Sequence, residues 1–231
     1  MSPSSSAQLV FSSLPTLLSG AVNTIALICA CLSLGMVIGV LLALVNTYGT
    51  PLARRIAGYY DRVFRGFPAL VLLFLFYFGL GGIRGFSLSP FLAAVLALGL
   101  RSAAYQAHIY RGSVLAVGEG QMSAARSLGM TKRQAIWAII VPQAFHFSLP
   151  GMSNEYSILL KDTALAFAVG VVELMNKGKF IAVRTRATLP IYLAVAGLYL
   201  ILTYIGIYGF SVLENRTSIP GLGTTYRRTR R

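Results

Sequence analysis

Residues 16–45 read TLLSGAVNTIALICACLSLGMVIGVLLALV, and this stretch decides the fold class. It contains no charged side chain, and the first charged residue of the chain is Arg54. An apolar run of about 18 residues or more is typical of a membrane-spanning helix. Of all 231 residues, 56% are hydrophobic and 11% are charged, whereas a soluble domain carries about 25% charged residues. The sequence therefore predicts an all-α polytopic membrane protein and argues against a water-soluble enzyme, a disordered chain or a disulfide-rich secreted module.

Five apolar stretches are predicted to cross the membrane: 16–45, 67–83, 89–117, 154–175 and 189–212. The first is longer than one crossing needs and contains Gly35 and Gly39, whose GxxxG spacing allows close helix approach. The third begins with Ser89 and Pro90, which fit an N-cap and a first-turn proline. These spans divide the chain into an N-terminal extracytoplasmic segment (1–15), a transmembrane domain (16–213) and a basic cytoplasmic tail (214–231).

The excess of basic residues predicts the orientation of the chain in the membrane. The 20 lysines and arginines and 6 acidic residues give a net charge of +14. In a soluble protein this would indicate nucleic-acid binding, but in a membrane protein basic residues collect in cytoplasmic loops. With the N-terminus outside, 13 basic residues fall on inner segments and 5 on outer loops. We predict the N-terminus outside and the C-terminus inside, although the outer loop 176–188 holds four basic residues.

The longest internal connection, 111–149, is predicted to contain two short helices. Residues 121–128 form the first, which Gly129 ends as a C-cap. A capping box from Thr131 to Gln134 begins the second, and Pro142 should kink or end it. Composition alone leaves two alternatives open for this polar loop, a docking element and a solvated connector.

Motifs of catalysis and cofactor binding are absent from the sequence. It contains no GxxxxGK[ST] phosphate loop, no HExxH, no CxxC and no GxSxG. Cys29 and Cys31 lie two residues apart in the first span, so they point to different faces and fit neither a disulfide nor a zinc pair. We therefore expect no enzyme activity, no metal and no cofactor in this chain.

Several motifs resemble those of one transporter family. EGQMSAARSLG at 119–129, followed by the proline of IIVPQA, resembles the EAA loop of ABC importer permeases. Two positions depart from that pattern, because Ser123 stands where glutamate is usual and Val141 precedes the proline. Four further segments resemble the polar amino-acid branch of that family, the histidine/glutamine-type permeases: RGFPALV (65–71), AAYQAHIYRG (103–112), LPGMSNEYSILLKDTALAF (149–167) and VVEL (171–174).

The resemblance implies a type I ABC importer permease fold that pairs with itself or with a paralogous permease. Two ATP-binding cassette subunits, which carry ATP and Mg²⁺, would dock beneath it, and an extracytoplasmic solute-binding protein would deliver a polar amino acid. The EAA loop would be the coupling helix, with a small apolar stripe of Ala124, Ala125 and Leu128. The residues expected to couple to the ATPase are Gln121, Ser123, Ala124, Ala125, Arg126, Leu128, Gly129 and Pro142.

Polar residues inside the predicted spans are candidates for the substrate path, because ionisable groups there usually face a cavity or a partner. Asn154, Ser157 and Lys161 share one helical face. Neighbours on a helix such as Lys161 and Asp162 cannot pair, so Asp162 binds either a substrate group or a partner in the bundle. The path residues expected are His108, Asn154, Glu155, Lys161 and Asp162, and the other intramembrane ionisable groups are Arg101 and Glu173.

His108 stands where the family often has glutamate. Two interpretations stay open for it, a titratable group that affects substrate preference and a satisfied core histidine. The resemblance favours an ATP-driven importer that works by alternating access. The alternatives are an ATP-independent secondary transporter or channel, whose usual duplicated repeat is not visible here, and a non-transporting scaffold.

Overall fold

The computed structural model describes the backbone of residues 3–81 and 87–217, and the regular structure in those ranges is helical. The helices are α1 (Pro3–Tyr48), α2 (Pro51–Gly66), α3 (Ala69–Gly79), α4 (Pro90–Val117), α5 (Glu119–Ser127), α6 (Lys132–Val169), α7 (Leu174–Thr185) and α8 (Thr188–Arg216). Most of the predicted basic tail, 214–231, and the end of the second predicted span, 67–83, lie outside the described residues.

By length and composition, three helical stretches could cross a membrane: Ala7–Tyr48, Lys132–Val169 and Thr188–Arg216. The pair formed by α2 and α3, bent by 102°, makes a fourth if it counts as one span. α4 corresponds to the third predicted span, and its 28 residues are long enough at about 1.5 Å per residue. Its charged and amide side chains make it less apolar than the other three, so this measure gives three or four spans rather than five.

α6 corrects the predicted fourth span and the predicted long connection. The helix begins at Lys132, not at residue 154, and is complete by Val169. Of the two effects predicted for Pro142, kinking or ending the helix, the second is wrong, because the chain stays helical on both sides of it. A π-helical turn at Ile136–Ile140 precedes the proline, and the Val141 N–H donates to the Ile136 carbonyl. This wider turn relieves the clash that a proline ring makes with the carbonyl one turn earlier.

The GxxxG pair brings α1 against α4. A Cβ on Gly35 would lie 2.3 Å from the Gln106 amide nitrogen, and a Cβ on Gly39 would lie 3.0 Å from the Gln106 Cβ and 3.1 Å from the Ala103 carbonyl oxygen. The distance at Gly35 is shorter than real Cβ contacts show, and the two at Gly39 are tighter than most of them, so a side chain at either position would force its neighbours to shift. The motif therefore packs two helices of the same chain.

Two apolar clusters hold the remaining helices. The larger cluster joins α1, α3, α4 and α6 through Leu27, Leu72, Leu73, Leu98, Leu159 and Leu160. The smaller cluster joins α1, α7 and α8 through Leu17, Leu174, Ile181, Ile191 and Val195. The predicted start of α4 is confirmed, because the Ser89 hydroxyl accepts from the Leu92 N–H at 3.2 Å and Pro90 is the first helical residue.

The basic outer loop predicted at 176–188 is largely a helix, α7. Glu173 caps its N-terminus, where the carboxylate accepts from the Met175 and Asn176 N–H groups at 2.7 and 2.6 Å. The same carboxylate accepts from the Tyr199 hydroxyl at 2.7 Å. Glu173, a candidate intramembrane ionisable group, is thus a helix cap that also ties α7 to α8.

We predict that Gly39→Ala separates α1 from α4 and destabilises the protein by about 1–3 kcal/mol, because a Cβ there overpacks the helix contact. The measurement is the thermal unfolding midpoint of the purified chain in detergent. Gly112→Ala on α4 is the matched control, since nothing lies within 4 Å of its Cβ position. A midpoint for Gly39→Ala as high as that of Gly112→Ala would contradict the close packing.

Candidate functional site

α5 is a short exposed helix held at both ends by glycines with positive φ angles. Gly118 (φ 78°) precedes it and Gly129 (φ 82°) follows it. At the C-terminus the Gly129 N–H donates to the Arg126 carbonyl at 3.0 Å and the Met130 N–H donates to the Ala125 carbonyl at 3.2 Å. This pair of bonds is a Schellman motif. The predicted helix and its glycine C-cap are confirmed.

The capping box that begins α6 is also confirmed. The Thr131 hydroxyl accepts from the Gln134 N–H at 3.3 Å, and the Gln134 amide oxygen accepts from the Thr131 N–H at 2.8 Å. Only one residue, Met130, separates the Schellman glycine from this N-cap. The turn between α5 and α6 therefore has both flanking helix ends hydrogen-bonded, which fixes how α5 projects from α6.

The residues expected to couple to the ATPase differ in exposure. Ala125 is only 4% exposed, so it packs against the chain itself, whereas Ala124 and Leu128 face outward and Leu128 is 83% exposed. Of the three residues in the predicted apolar stripe, Ala124 and Leu128 are thus available to a partner and Ala125 is not. Ser123, Arg126, Gly129 and Pro142 are exposed and Gln121 is half-buried, and the Arg126 guanidinium donates to the Met130 carbonyl at 3.2 Å.

An open groove of about 480 Å³ lies beside this turn. It is lined by Leu128, Gly129, Met130, Gln134, Trp137 and Ala138. Trp137, the single tryptophan of the chain, is 56% exposed. Sequence reasoning missed it, although a lone tryptophan one turn after a capping box on a polar loop is a usable signal, since aromatic residues are enriched at interfaces.

A second groove lies along α5 between α1 and α6. Ser123 and Glu119, one helical turn apart, both line it, together with Tyr48 and Lys132. The Lys132 ammonium lies 5.3 Å from the centre of the Tyr48 ring. The end of α1 at Tyr48 is therefore on the same side of the molecule as α5.

A buried polar cluster joins α1, α4 and α6. The Ser102 hydroxyl donates to Glu155 at 2.7 Å, and the Gln106 amide donates to Ser102 at 3.0 Å and to the Leu32 carbonyl at 3.3 Å. The Tyr110 hydroxyl completes the chain by donating to the Gln106 amide oxygen at 2.9 Å. The Glu155 carboxylate thus links α6 to α4 through its hydrogen bond with Ser102. The Glu155 side chain is only 4% exposed.

Asp162 lies on the same face of α6 as Glu155 and pairs with Arg101 of α4 at 2.5 Å. Both side chains are largely shielded, with 17% of Arg101 and 21% of Asp162 exposed. The structure therefore gives Asp162 a partner within the bundle, which is one of the two alternatives that the sequence left open. The Arg101 guanidinium also lies 5.0 Å from the centre of the Tyr105 ring.

The five candidate path residues do not form one cluster. Asn154 and Lys161 are exposed on a face of α6 away from Glu155 and Asp162. His108 lies elsewhere, at the surface, where its Nε2 is 2.8 Å from the Asp61 carboxylate of α2. Asp61 also pairs with Arg65 at 3.4 Å. His108 is therefore hydrogen-bonded but not a core residue.

Comparisons with known proteins agree on one family. The family model described as "Binding-protein-dependent transport system inner membrane component" matches residues 35–219. The chain is 36% identical over 210 residues to the "Probable amino-acid permease protein YxeN" of Bacillus subtilis (strain 168), covering 90% of this chain and 92% of that protein. It is 34% identical over 211 residues to the "Glutamine transport system permease protein GlnP" of Escherichia coli (strain K12), covering 91% and 96%.

Solved structures give the same fold. The structure titled "Crystal structure of an amino acid ABC transporter with histidines" has a TM-score of 0.81 and 33% identity, and the match covers 89% of this chain and 96% of that one. An inward-facing MetNI methionine ABC transporter has a TM-score of 0.68 and 22% identity, with 95% and 100% covered. At that identity the second likeness concerns the fold alone.

We predict that the pair of Arg101 and Asp162 is structural. Asp162→Leu leaves a shielded guanidinium without its counter-ion and should destabilise the protein by about 3 kcal/mol, whereas Arg101→Met/Asp162→Leu should recover part of that loss. The measurement is a double-mutant cycle of thermal unfolding in detergent. Lys161→Met, at the exposed neighbouring position, is the control and should change the midpoint little. Strictly additive effects of the two changes would exclude an energetic coupling.

Proposed function

Because this chain belongs to the family of binding-protein-dependent transport system inner membrane components, we propose that it is the membrane-spanning permease subunit of an ATP-driven importer for polar amino acids. The observation that carries this proposal is the similarity to permeases named for amino acids, which covers 90% of this chain for YxeN and 91% for GlnP. This chain supplies the pathway, and ATP is hydrolysed in a separate subunit.

The partner that hydrolyses ATP docks on α5. The exposed side chains of Ala124 and Leu128 present a small apolar surface, and the groove with Trp137 continues it along α6. We assign this exposed apolar surface, which polar residues flank, to the contact with that partner. Ser123 replaces the usual glutamate of the loop, and Glu119 supplies a carboxylate one turn away in the same groove.

A movement of α5 is transmitted to the helix bundle through rigid connections. α5 is joined to α4 by Gly118 alone, and to α6 by the Schellman motif and the capping box. α4 and α6 are in turn tied together by the bonds of Glu155 and Asp162. When ATP binding draws the partner subunits together, α5 moves, and α4 and α6 move with it. The coupled movement of these three helices supports alternating access. In this mechanism the chain contributes a change of conformation and no chemical step.

The exposed polar face of α6 lines the substrate path between two permease subunits, either two copies of this chain or this chain and a paralogue. Asn154 and Lys161 are exposed on a membrane-spanning helix. Ionisable groups at membrane depth face protein or water rather than lipid. An extracytoplasmic solute-binding protein delivers the amino acid to this path. The other three candidates from the sequence have a supporting role. Glu155 and Asp162 hold α6 against α4, and His108 holds α2 against α4.

The orientation that we propose rests on which helix ends lie together. The C-terminal end of α1 at Tyr48 meets Lys132 beside α5, while Thr24 of α1 accepts from the Leu174 N–H at the start of α7. If α5 meets a cytoplasmic ATPase, Tyr48 is inside and the beginning of α1 is outside. The N-terminus is then extracytoplasmic and the C-terminus cytoplasmic. α7, with its four basic residues nearby, lies on the outer side.

The docking proposal predicts that Leu128→Asp lowers ATP-dependent uptake more than tenfold, because a charge would then enter an apolar contact. The assay uses proteoliposomes with the ATP-binding subunits, the solute-binding protein and labelled arginine, histidine, glutamine or glutamate. Leu128→Met, which keeps the position apolar, is the matched control and should retain uptake. Uptake that proceeds without ATP and ignores Leu128→Asp would favour a secondary transporter or channel instead.

The path proposal predicts that Lys161→Ala raises the substrate concentration for half-maximal uptake about tenfold, the equivalent of one lost charge-assisted contact. Ile158→Leu, an apolar change on the same exposed face, should leave that concentration unchanged. The measurement is initial uptake rate against substrate concentration, with the solute-binding protein saturating and ATP hydrolysis recorded in parallel. An unchanged concentration dependence for Lys161→Ala would remove Lys161 from the path.

A further inference from the structure

α2 presents three distinct faces along its 16 residues. One face packs on the bundle, where Ala57 is buried, the Tyr60 hydroxyl donates to the Leu100 carbonyl at 2.8 Å and Phe64 joins the larger apolar cluster. A second face is apolar and exposed, and consists of Leu52, Ile56, Tyr59 and Val63 at helical spacing. A third face is basic and consists of Arg54, Arg55, Arg62 and Arg65.

The direction of α2 separates it from the spans. α3 runs inside the bundle, because Leu72 and Leu73 are buried in the larger apolar cluster. α2 is bent by 102° from α3, so it runs across the bundle rather than along it. It also follows Tyr48 after two residues, which places its beginning on the side of the molecule where α5 lies. This position and the exposed apolar face are typical of a helix that lies along a membrane surface.

The charges of α2 are only partly compensated. Asp61 is the single acidic residue of the helix, and it is occupied by Arg65 and His108. Within residues 3–81 and 87–217, no carboxylate pairs with Arg54, Arg55 or Arg62. The Arg62 guanidinium lies over the Tyr59 ring, 4.9 Å from its centre, so a cation stands beside the apolar face. Successive helix residues are 100° apart, which places Arg55 next to the same face.

We propose that α2 docks on anionic phospholipid in the leaflet on the side of α5. Leu52, Ile56, Tyr59 and Val63 enter the acyl-chain boundary, and Arg55 and Arg62 bind the phosphates at its edge. An anionic bilayer surface satisfies both exposed faces of α2 at once, which a neutral surface does not. The contact of α2 with lipid also holds α4 in place. Tyr60 of α2 binds the Leu100 carbonyl of α4, and Asp61 of α2 binds His108 of α4. This inference does not depend on the transported substrate.

Lipid preference is the first test. The purified full-length chain in detergent is titrated with dioctanoyl-phosphatidylglycerol or dioctanoyl-phosphatidylcholine, and the unfolding midpoint is followed. We expect the anionic lipid to stabilise at lower concentration, and Arg55→Gln/Arg62→Gln to reduce that preference roughly fivefold for each arginine removed. Arg111→Gln/Arg133→Gln, which removes two exposed charges elsewhere, should keep it. Equal effects of both lipids on the unaltered chain would overturn the proposal.

The second test locates the apolar face in the assembled transporter. A bimane label at Ile56→Cys, in a background with Cys29→Ser and Cys31→Ala, should be quenched by lipids with brominated acyl chains. The same label at Arg54→Cys, on the opposite side of α2, should be quenched by aqueous iodide instead. The chain is reconstituted with its ATP-binding subunits in vesicles containing phosphatidylglycerol. If assembly shields the Ile56→Cys label from brominated lipid, α2 is covered by protein, either an ATP-binding subunit or a second permease, and the proposal is wrong.

Discussion

Gln106 is the side chain on which the packing of α1, α4 and α6 depends. It is fully buried, and its amide reaches a backbone carbonyl of α1 and, through Ser102, the carboxylate of α6. Helices in a bilayer gain little from the hydrophobic effect when they associate, so close packing and hydrogen bonds must hold them. The glycines of α1 provide the space that the amide occupies. The contact therefore needs both the long Gln106 side chain on α4 and the absence of side chains at Gly35 and Gly39 on α1.

Features that depend on neighbouring residues could be predicted from the sequence. The Ser89 cap, the Gly129 C-cap and the capping box at Thr131 each need only three or four consecutive residues. The apolar runs likewise predicted a helical membrane protein. The continuation of α6 through Pro142 could not be predicted this way, because proline is a helix breaker by local rules and the π-helical turn that accommodates it is a response of the whole helix.

The roles of the intramembrane charges depended on tertiary contacts. Six ionisable residues were singled out by their position alone, and position does not reveal the partner. Asp162 meets Arg101, which is 61 residues away in sequence, and His108 meets Asp61, which is 47 away. Glu173 was expected in a span and is a helix cap. The same limit applies to α5, where helical spacing grouped Ala125 with Ala124 although only one of them faces outward.

The length of α6 has a mechanical consequence. Its 38 residues span about 57 Å at 1.5 Å per residue, from the turn after α5 to the segment before α7. A rigid rod of that length tilted by about 10° about one end displaces the other end by about 10 Å. The helix therefore has the geometry of a lever arm, since a modest rotation at the end beside α5 becomes a displacement as wide as an amino acid at the end beside α7.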